Sequence, residues 1–466
     1  MSVQCRSSAF VRGVNSLVRP LIGLLQMNFK DSRPYLHYLP TGAVSLSGSA
    51  SFNVFQQRNS SLPQTTPPVI DLAGEEEAEK LDGDVERSLS FTLATYNVLC
   101  QTTISDTSYL YRHCAEEDLD WENRWNLIQQ ELSSLDADVF CLQEVQHDHY
   151  DSCFKPFLEF GGYQGIFKKR TGSLKPDGCA TFWKRNTFSL FDSRQVEYLV
   201  PGSLLDRDNI AILVALVPVN GARSSGCQNK LIVANTHLLY NPNRGDIKLA
   251  QLAMLLAHVD QMAFQSPDSY HPVLLCGDFN MEPLCSMYEL LVSGRLKYLG
   301  LPQYELSGQG KMGGRLIDRQ LIPLAAGVTD TCQLSDVYVQ RKIDSTTNDS
   351  EKTADPVSWL PLATGQLSHS LELMSVYRHI TPQNEFEVTS LHKEASAVDY
   401  IFYSLQAKEA FRRSDTQFVC RDIVEGRLRC QQKLALPSEN HLQPMPNSFC
   451  GSDHVPLAAR FEIDFD

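Results

Sequence analysis

No run of uncharged apolar residues in this chain approaches the roughly 20 needed to cross a bilayer as a helix. The longest candidate, Val14 to Met27, is interrupted by Arg19 and Pro20. A C-x-x-C pair is also missing, although the chain holds 13 cysteines, so a structural zinc framework is excluded. Cys141 and Cys276 lie inside apolar runs, where free thiols pack as small hydrophobes, as expected in a reducing compartment. Basic charge is in deficit, with 41 Lys and Arg against 55 Asp and Glu and a formal net charge of −14. That balance excludes a protein that coats long duplexes, which must neutralise many phosphates; a short single-stranded end held mainly at a metal agrees with it. No internal repeat and no leucine-rich array is found.

Residues 1 to 90 differ from the rest. They are rich in Ser, contain Pro, have weak periodicity, and close in the acidic run Glu75, Glu76, Glu77, Glu79, Asp82, Asp84 and Glu86. A disordered leader and solvated linker is expected. Arg6, Arg12, Arg19 and Lys30 precede the first acid, Asp31, which is the composition of a mitochondrial transit peptide. The expected location is intracellular, cytoplasmic or nuclear, with mitochondrial import as the alternative.

From Phe91 onward, short β-branched and aromatic runs recur at Phe91–Leu99, Asp138–Val145, Cys179–Lys184, Ile210–Val217, Leu231–Thr236, Val273–Cys276, Val398–Tyr403 and Val455–Phe461. Each predicts a buried strand. Trp121–Leu135 and Asp246–Phe264 carry apolar residues at three-and-four spacing and predict helices laid on sheets. Strands with only occasional helices between them predict two packed sheets flanked by helices, rather than a doubly wound parallel sheet. Residues 91–466 then form one catalytic domain, with a polar surface insertion at about 341–370.

Four short words carry the chemistry: Tyr96-Asn97, Gln143-Glu144, Gly277-Asp278-Phe279-Asn280 and Ser452-Asp453-His454. Each closes an apolar run or stands beside one. Asp278 and Asn280 are expected on one side of an extended chain as its strand exits. Glu144 is costly to desolvate at a strand end unless paired or bound to a cation, and a hard oxygen ligand suits magnesium or manganese. His237 and His454 supply imidazoles; Asp399, at another strand start, can fix the tautomer of His454 and raise its basicity. A charged His454 can then stabilise developing charge on phosphoryl oxygen.

This ordered set resembles the exonuclease, endonuclease and phosphatase superfamily, which includes DNase I, nocturnin and the carbon catabolite repressor deadenylases. Within it the agreement is longest with the Angel family. It rests on Leu110-Tyr111-Arg112-His113-Cys114, Cys141 to Gln146 followed by Asp148-His149-Tyr150, Lys175 to Ala180, Leu205 to Asn209, and Ala234 to Pro242 running into Arg244-Gly245-Asp246.

The resemblance implies a DNase I-like four-layer α/β sandwich with the site at one end of two mixed sheets. It implies Mg2+ or Mn2+ on Glu144, with Asn97 beside it. It also implies Asp278 orienting or deprotonating water, Asn280 holding phosphate or water, His237 and His454 with Asp399 on phosphoryl oxygens, and Asp453 supporting the metal. Asn97, Asn235, Pro242 and Lys175 are the expected substrate contacts. Lys175 belongs to a basic cluster with Lys168, Lys169 and Arg170.

Deadenylases of the superfamily hold adenine between a proline and an aromatic residue. Pro242 matches the first, but Glu394 stands where the aromatic belongs, and stacking is worth about 1–3 kcal/mol per base. The Angel resemblance implies instead removal of 2′,3′-cyclic phosphate from single-stranded RNA 3′ ends to leave a 2′,3′-diol, by a monomer whose protein partners are not specified. Poly(A) 3′-to-5′ exoribonuclease is the alternative. A non-catalytic RNA-binding or translation-associated protein is the second, and should show gaps in a constellation that here is complete.

Overall fold

A computed structural model describes residues 38–40, 88–219, 230–310, 315–345, 364–381, 383–391, 394–414 and 417–464. In chain order the strands that matter are β1 (Ser88–Asn97), β2 (Val139–Gln146), β3 (Tyr163–Lys169), β4 (Asp177–Lys184), β5 (Phe188–Glu197), β6 (Ile210–Pro218), β7 (Leu231–His237), β8 (Val273–Asp278), β9 (Leu373–Ser375), β10 (Asp399–Ser404), β11 (Leu428–Leu434) and β12 (Leu457–Asp464). The helices that matter are α1 (Trp121–Leu135), α2 (Gly245–Ala263), α3 (Ser286–Ser293) and α4 (Ser335–Ser345).

One seven-stranded sheet runs Tyr38–Pro40, β11, β12, β1, β2, β4, β3, and a six-stranded sheet runs β9, β10, β8, β7, β6, β5. Both are mixed: β1 pairs parallel with β2, and β7 parallel with β8, while their other neighbours are antiparallel. Side-chain alternation along each strand divides the core into three layers. Phe91, Leu93, Val139 and Cys141 meet Ile212, Val233, Leu274 and Ile401 between the sheets. Ala94, Tyr96, Phe140 and Leu142 point the other way onto Ile128 and Leu132 of α1. On the far side, Ala211, Leu213, Leu275 and Phe402 receive α2 and α3. The result is the expected four-layer α/β sandwich.

The predicted strands and both helices are present, and α1 keeps its predicted bounds. Two expectations change. The leader is not wholly irregular: Tyr38–Pro40 pairs antiparallel with β11, covering part of what would otherwise be an open sheet edge. Other leader residues up to Glu86, the transit-like segment and the acidic run among them, lie outside the described residues. The insertion is also narrower than 341–370. Arg341 belongs to α4, and its guanidinium donates to buried Asp260 at 2.7 Å. At the other end, Gln366–Ser368 pairs with Arg295–Lys297 and buries Leu367. Residues 346–363 lie outside the described residues. Among the described residues no helix is long and apolar enough to cross a membrane.

His379 is buried, with Nε2 3.1 Å from the Tyr288 hydroxyl. Burial, reinforced by the Lys433 charge, pushes its pKa down from 6.5 to about 3. A folded value below the unfolded one means that its contribution to stability is full above the unfolded value and fades as pH falls. Between pH 7 and pH 4 this ring should cost the fold roughly 3 kcal/mol. Urea unfolding at successive pH values should show that slope, and His379→Gln should flatten it; an equally steep slope in the variant would contradict the assignment.

Candidate active site

Alternation explains why the site lies where it does. Asn97 continues the inward face of Phe91 and Leu93 on β1, Asp278 continues that of Leu274 and Cys276 on β8, and Asp399 begins that of Ile401 and Tyr403 on β10. In register, Asp278 is the neighbour of Asp399 on one side and of His237 on the other. Three sequence-distant chemical groups therefore share one end of the gap between the sheets.

Glu144 reaches that gap by an irregularity. Strict alternation after Leu142, which faces α1, would send Glu144 to the same side. Instead the β2–β4 register shifts between Leu142 and Val145, and Glu144 adopts φ 55°. Left-handed backbone at a residue with a Cβ is costly and is found mainly where a bulge re-aims a side chain. Val145 resumes the helix-facing side with Leu142, leaving the Glu144 carboxylate free to turn inward. Gly277 allows the adjoining close approach: a Cβ there would lie 2.0 Å from the Thr236 carbonyl oxygen.

Asn97 Nδ2 donates to Glu144 Oε1 and to Asp278 Oδ2, both at 3.0 Å, while its Oδ1 accepts the Leu99 N–H. The Cys100 N–H donates to Glu144 Oε2 at 3.1 Å. His454 Nδ1 is 2.7 Å from Asp399 Oδ2, and its Nε2 stands 3.9 Å from oxygens of both Asp278 and Asp453. His237 Nε2 lies 3.5 Å from Asp278 Oδ2. Asp453 accepts from the Tyr111 hydroxyl at 2.9 Å, and Ser452 Oγ donates to the Asn97 carbonyl.

The two imidazoles are driven apart electrostatically. Burial opposes a charge on His454, but the Asp399 carboxylate and its hydrogen bond, with Asp453 and Asp278, outweigh it and raise its pKa well above the ordinary range. Among the described residues His237 has no carboxylate at hydrogen-bonding distance as short as that of Asp399 to His454, and burial, then the Arg170 charge, pushes it down to about 4. At neutral pH one ring is a cation and the other a neutral hydrogen-bonding group. Asp278 is pushed up to about 7 by burial and by the Asp399 charge, and Glu144 is raised by burial and by Asp453.

Buried Asp278, Asp399 and Asp453, with half-buried Glu144, therefore face the charge of His454 and of the nearby guanidinium of Arg124. The surplus is negative. Among the described residues Asp453 Oδ1 and Asp399 Oδ1 are buried without a hydrogen-bond partner. Oxygen donors with excess charge suit a hard divalent cation. Ligand atoms of Asp278, Asp399 and His454 lie within 4.8 Å of one another, but Asp399 and His454 are already committed to each other. Glu144, at the opening, with Asp453 is the better-suited pair.

Several expected residues sit differently. Asn280 is not on the extended strand: it follows β8 at φ 49°, its N–H caps Asp278 Oδ1 at 2.9 Å, and its Nδ2 donates to the Leu238 carbonyl. Asn235 is not at the mouth. Two residues deeper on β7 than His237, its Nδ2 donates to the Leu142 and Ala180 carbonyls and to Thr181, and its Oδ1 accepts from Gln143; it bridges the sheets beneath the site. Pro242 is half-buried in the turn beyond β7.

The basic cluster is largely spent. Lys168 ion-pairs with Glu197, Lys169 donates to the Arg170 and Gly172 carbonyls, and Arg170 lies 3.5 Å from Asp177. Lys175 is exposed beside a groove of about 340 Å³ that Thr102, Gln146 and His147 also line. Arg207 pairs with Asp206.

Sequence reasoning missed the braces. Arg124 Nε donates to the Gly451 carbonyl, and its terminal nitrogens donate to Gln101 Oε1 and to the Val98 and Leu99 carbonyls, all within 2.7 Å. Lys248 Nζ donates to the Asn280 carbonyl at 2.7 Å. A visible signal existed for both: each is a charge four residues before a helix core position, Ile128 and Leu252.

A family model described as the Endonuclease/Exonuclease/phosphatase family matches residues 94–454. The chain belongs to that family. Within it, the Angel branch is shown by protein angel homolog 2 of Homo sapiens, 38% identical over 405 residues, which are 84% of this chain and 73% of the relative. The homolog of Danio rerio is 41% identical over 381 residues, 80% of this chain, although the chain spans only 64% of that relative. A crystal structure of ANGEL2, described as a 2′,3′-cyclic phosphatase in complex with adenosine-2′,3′-vanadate, shares 37% identity. Its TM-score is 0.66, and the match covers 82% of this chain and 97% of that one.

Proposed function

We propose that this Angel-family chain is a divalent-metal-dependent phosphoesterase that removes 2′,3′-cyclic phosphate from single-stranded RNA 3′ ends, acting as a monomer. The observation that carries the reading is the convergence of Asn97, Glu144, Asp278, Asp399, Asp453 and His454 at one end of the sheets. The substrate is supported by the likeness to ANGEL2, a 2′,3′-cyclic phosphatase solved in complex with adenosine-2′,3′-vanadate.

Asp278, fixed by Asn97 and by the Asn280 N–H, takes a proton from the attacking water. The new oxygen–phosphorus bond displaces one ribose oxygen and leaves a monoester; a second water then displaces the other, giving the 2′,3′-diol and inorganic phosphate. His454, held by Asp399, donates toward phosphoryl oxygen and offsets its growing charge. Neutral His237 supplies a further hydrogen bond there, and Asn280 closes the floor. Glu144 and Asp453 would hold Mg2+ or Mn2+, which would polarise the phosphoryl group. Lys175 and Pro242 guide the RNA strand. Residues 91–466 supply the catalytic domain.

Two oligonucleotides test this, one ending in 2′,3′-cyclic phosphate and one in an A-tail, each with pure protein and Mg2+. Phosphate release from the first without shortening of the second is expected. EDTA should abolish release and Mg2+ should restore it, with Glu144→Ala needing at least about tenfold more Mg2+, since even losing a residue that only supports a metal ligand costs about 10–100-fold. Tail shortening with the cyclic end untouched would establish the deadenylase reading instead. The exposed Glu394, in place of the deadenylase aromatic, argues against that outcome.

A further inference from the structure

Asp399 opens β10 of the six-stranded sheet, whereas His454 stands in the turn that enters β12 of the seven-stranded one. Their 2.7 Å contact therefore spans two layers. A hydrogen bond of that length tolerates only a few tenths of an ångström, and apolar packing between sheets is non-directional. Something must fix the two backbones relative to each other.

Both backbones meet at Thr389, a buried residue that no step of the reaction uses. Its Oγ1 accepts the Val398 N–H at 2.9 Å and the Asp399 N–H at 3.2 Å, while its carbonyl accepts, at 2.8 Å, the N–H of Val455, the residue after His454. Threonine hydroxyls that close local turns bond within about four residues; this one reaches nine and ten residues along the chain. A short hairpin follows, Ser390–Leu391 against Ala395–Ser396. Ser390 Oγ and the Leu391 N–H donate to the Asp453 carbonyl at 2.9 and 3.0 Å, and Ser390 bridges antiparallel to His454.

We propose that Thr389 is a positioning residue: with its hydroxyl on Asp399 and its carbonyl beside His454, it holds the two backbones at the separation that their side-chain hydrogen bond requires, and so keeps the imidazole aimed at phosphoryl oxygen. The inference rests on the phosphoesterase reading and adds to it the device that sets the pair. Misplacing a catalytic group by about 1 Å can cost on the order of 100-fold in rate. Thr389 acts through the pair and not on the RNA, so its effect falls on kcat rather than on KM.

Thr389→Val keeps the branched shape and deletes the acceptor; Thr389→Ser keeps the acceptor and deletes the methyl group. Both should melt earlier than the wild type. Steady-state phosphate release from an oligonucleotide ending in cyclic phosphate, measured well below both transitions, should show kcat reduced on the order of 10–100-fold in Thr389→Val, with KM nearly constant, and kcat restored in Thr389→Ser. In an Asp399→Ala background, where no pair remains to be positioned, Thr389→Val should add no further loss. Should the Val variant not fold, Thr389→Cys takes its place, since sulfur accepts only weakly, and its kcat should fall below that of Thr389→Ser. Wild-type kcat in the folded Val or Cys variant, equal losses in Val and Ser, or the full loss repeated in the Asp399→Ala background overturns the positioning role while the phosphatase reading stands. No release from the cyclic end by the wild type overturns that reading and the positioning role with it.

Discussion

Asp278→Asn is expected to lower kcat for phosphate release by about 1000-fold, with RNA affinity and the unfolding temperature nearly unchanged. The amide keeps an oxygen that can accept the Asn280 N–H, as Asp278 Oδ1 does at 2.9 Å, so the turn beyond β8 survives. What it loses is the power to accept a proton, and with it the Asn97 Nδ2 hydrogen bond, because an amide nitrogen in place of Oδ2 cannot accept from that donor. Asp278 Oδ2 is the oxygen that Asn97 contacts at 3.0 Å and that both imidazoles approach, His237 at 3.5 Å and His454 at 3.9 Å. It stands at the centre of the assembly, so its loss is not shared out among neighbours. Burial and the Asp399 charge raise the pKa of this carboxylate, so the native fold gains little from its charge and a neutral replacement should not unfold it. Circular dichroism and a melting curve separate the two effects. Turnover within tenfold of wild type in a folded variant would remove Asp278 from the proton-accepting role.

How far the sequence foretold this centre depends on the side-chain period. Asn97, Asp278 and Asp399 follow the alternation of their strands, so once the strands were placed their common face followed from two-residue spacing. Glu144 does not. Its inward aim depends on a bulge that only the pairing with β4 reveals, and strict alternation would have placed it under α1. Asn235 failed for the opposite reason: it obeys the alternation, but two positions inside the strand it meets the opposing sheet rather than the mouth. Asn280 keeps to the site but leaves the expected strand face, because β8 ends at Asp278 and the chain turns left-handed two residues later. The ends of the insertion were misjudged because a polar helix such as α4 can be tied down by one ion pair, Arg341 to Asp260, which leaves no hydrophobic period to see.

Arg124→Met is expected to produce the largest stability loss of any single change remote from phosphorus, roughly 3–5 kcal/mol as for one member of a buried charged network. The guanidinium is fully buried and fans out to three backbone carbonyls and one side-chain amide oxygen. Methionine fills much of the volume but offers no donor, so the carbonyls of Val98, Leu99 and Gly451 lose their partner at about 1–3 kcal/mol for each left unsatisfied. Lysine should rescue only part of this, because one ammonium cannot reproduce the planar fork. Activity should fall as well, even below the melting transition. Val98 and Leu99 lead to Cys100, whose N–H holds Glu144, and Gly451 leads to Asp453 and His454, so one side chain sets the spacing between the cation-holding side of the site and its imidazolium. Thermal unfolding with kinetics at a temperature where both proteins are folded tests the two consequences separately. A variant that melts with the wild type and turns over at its rate would show that the loops keep their places without the fork.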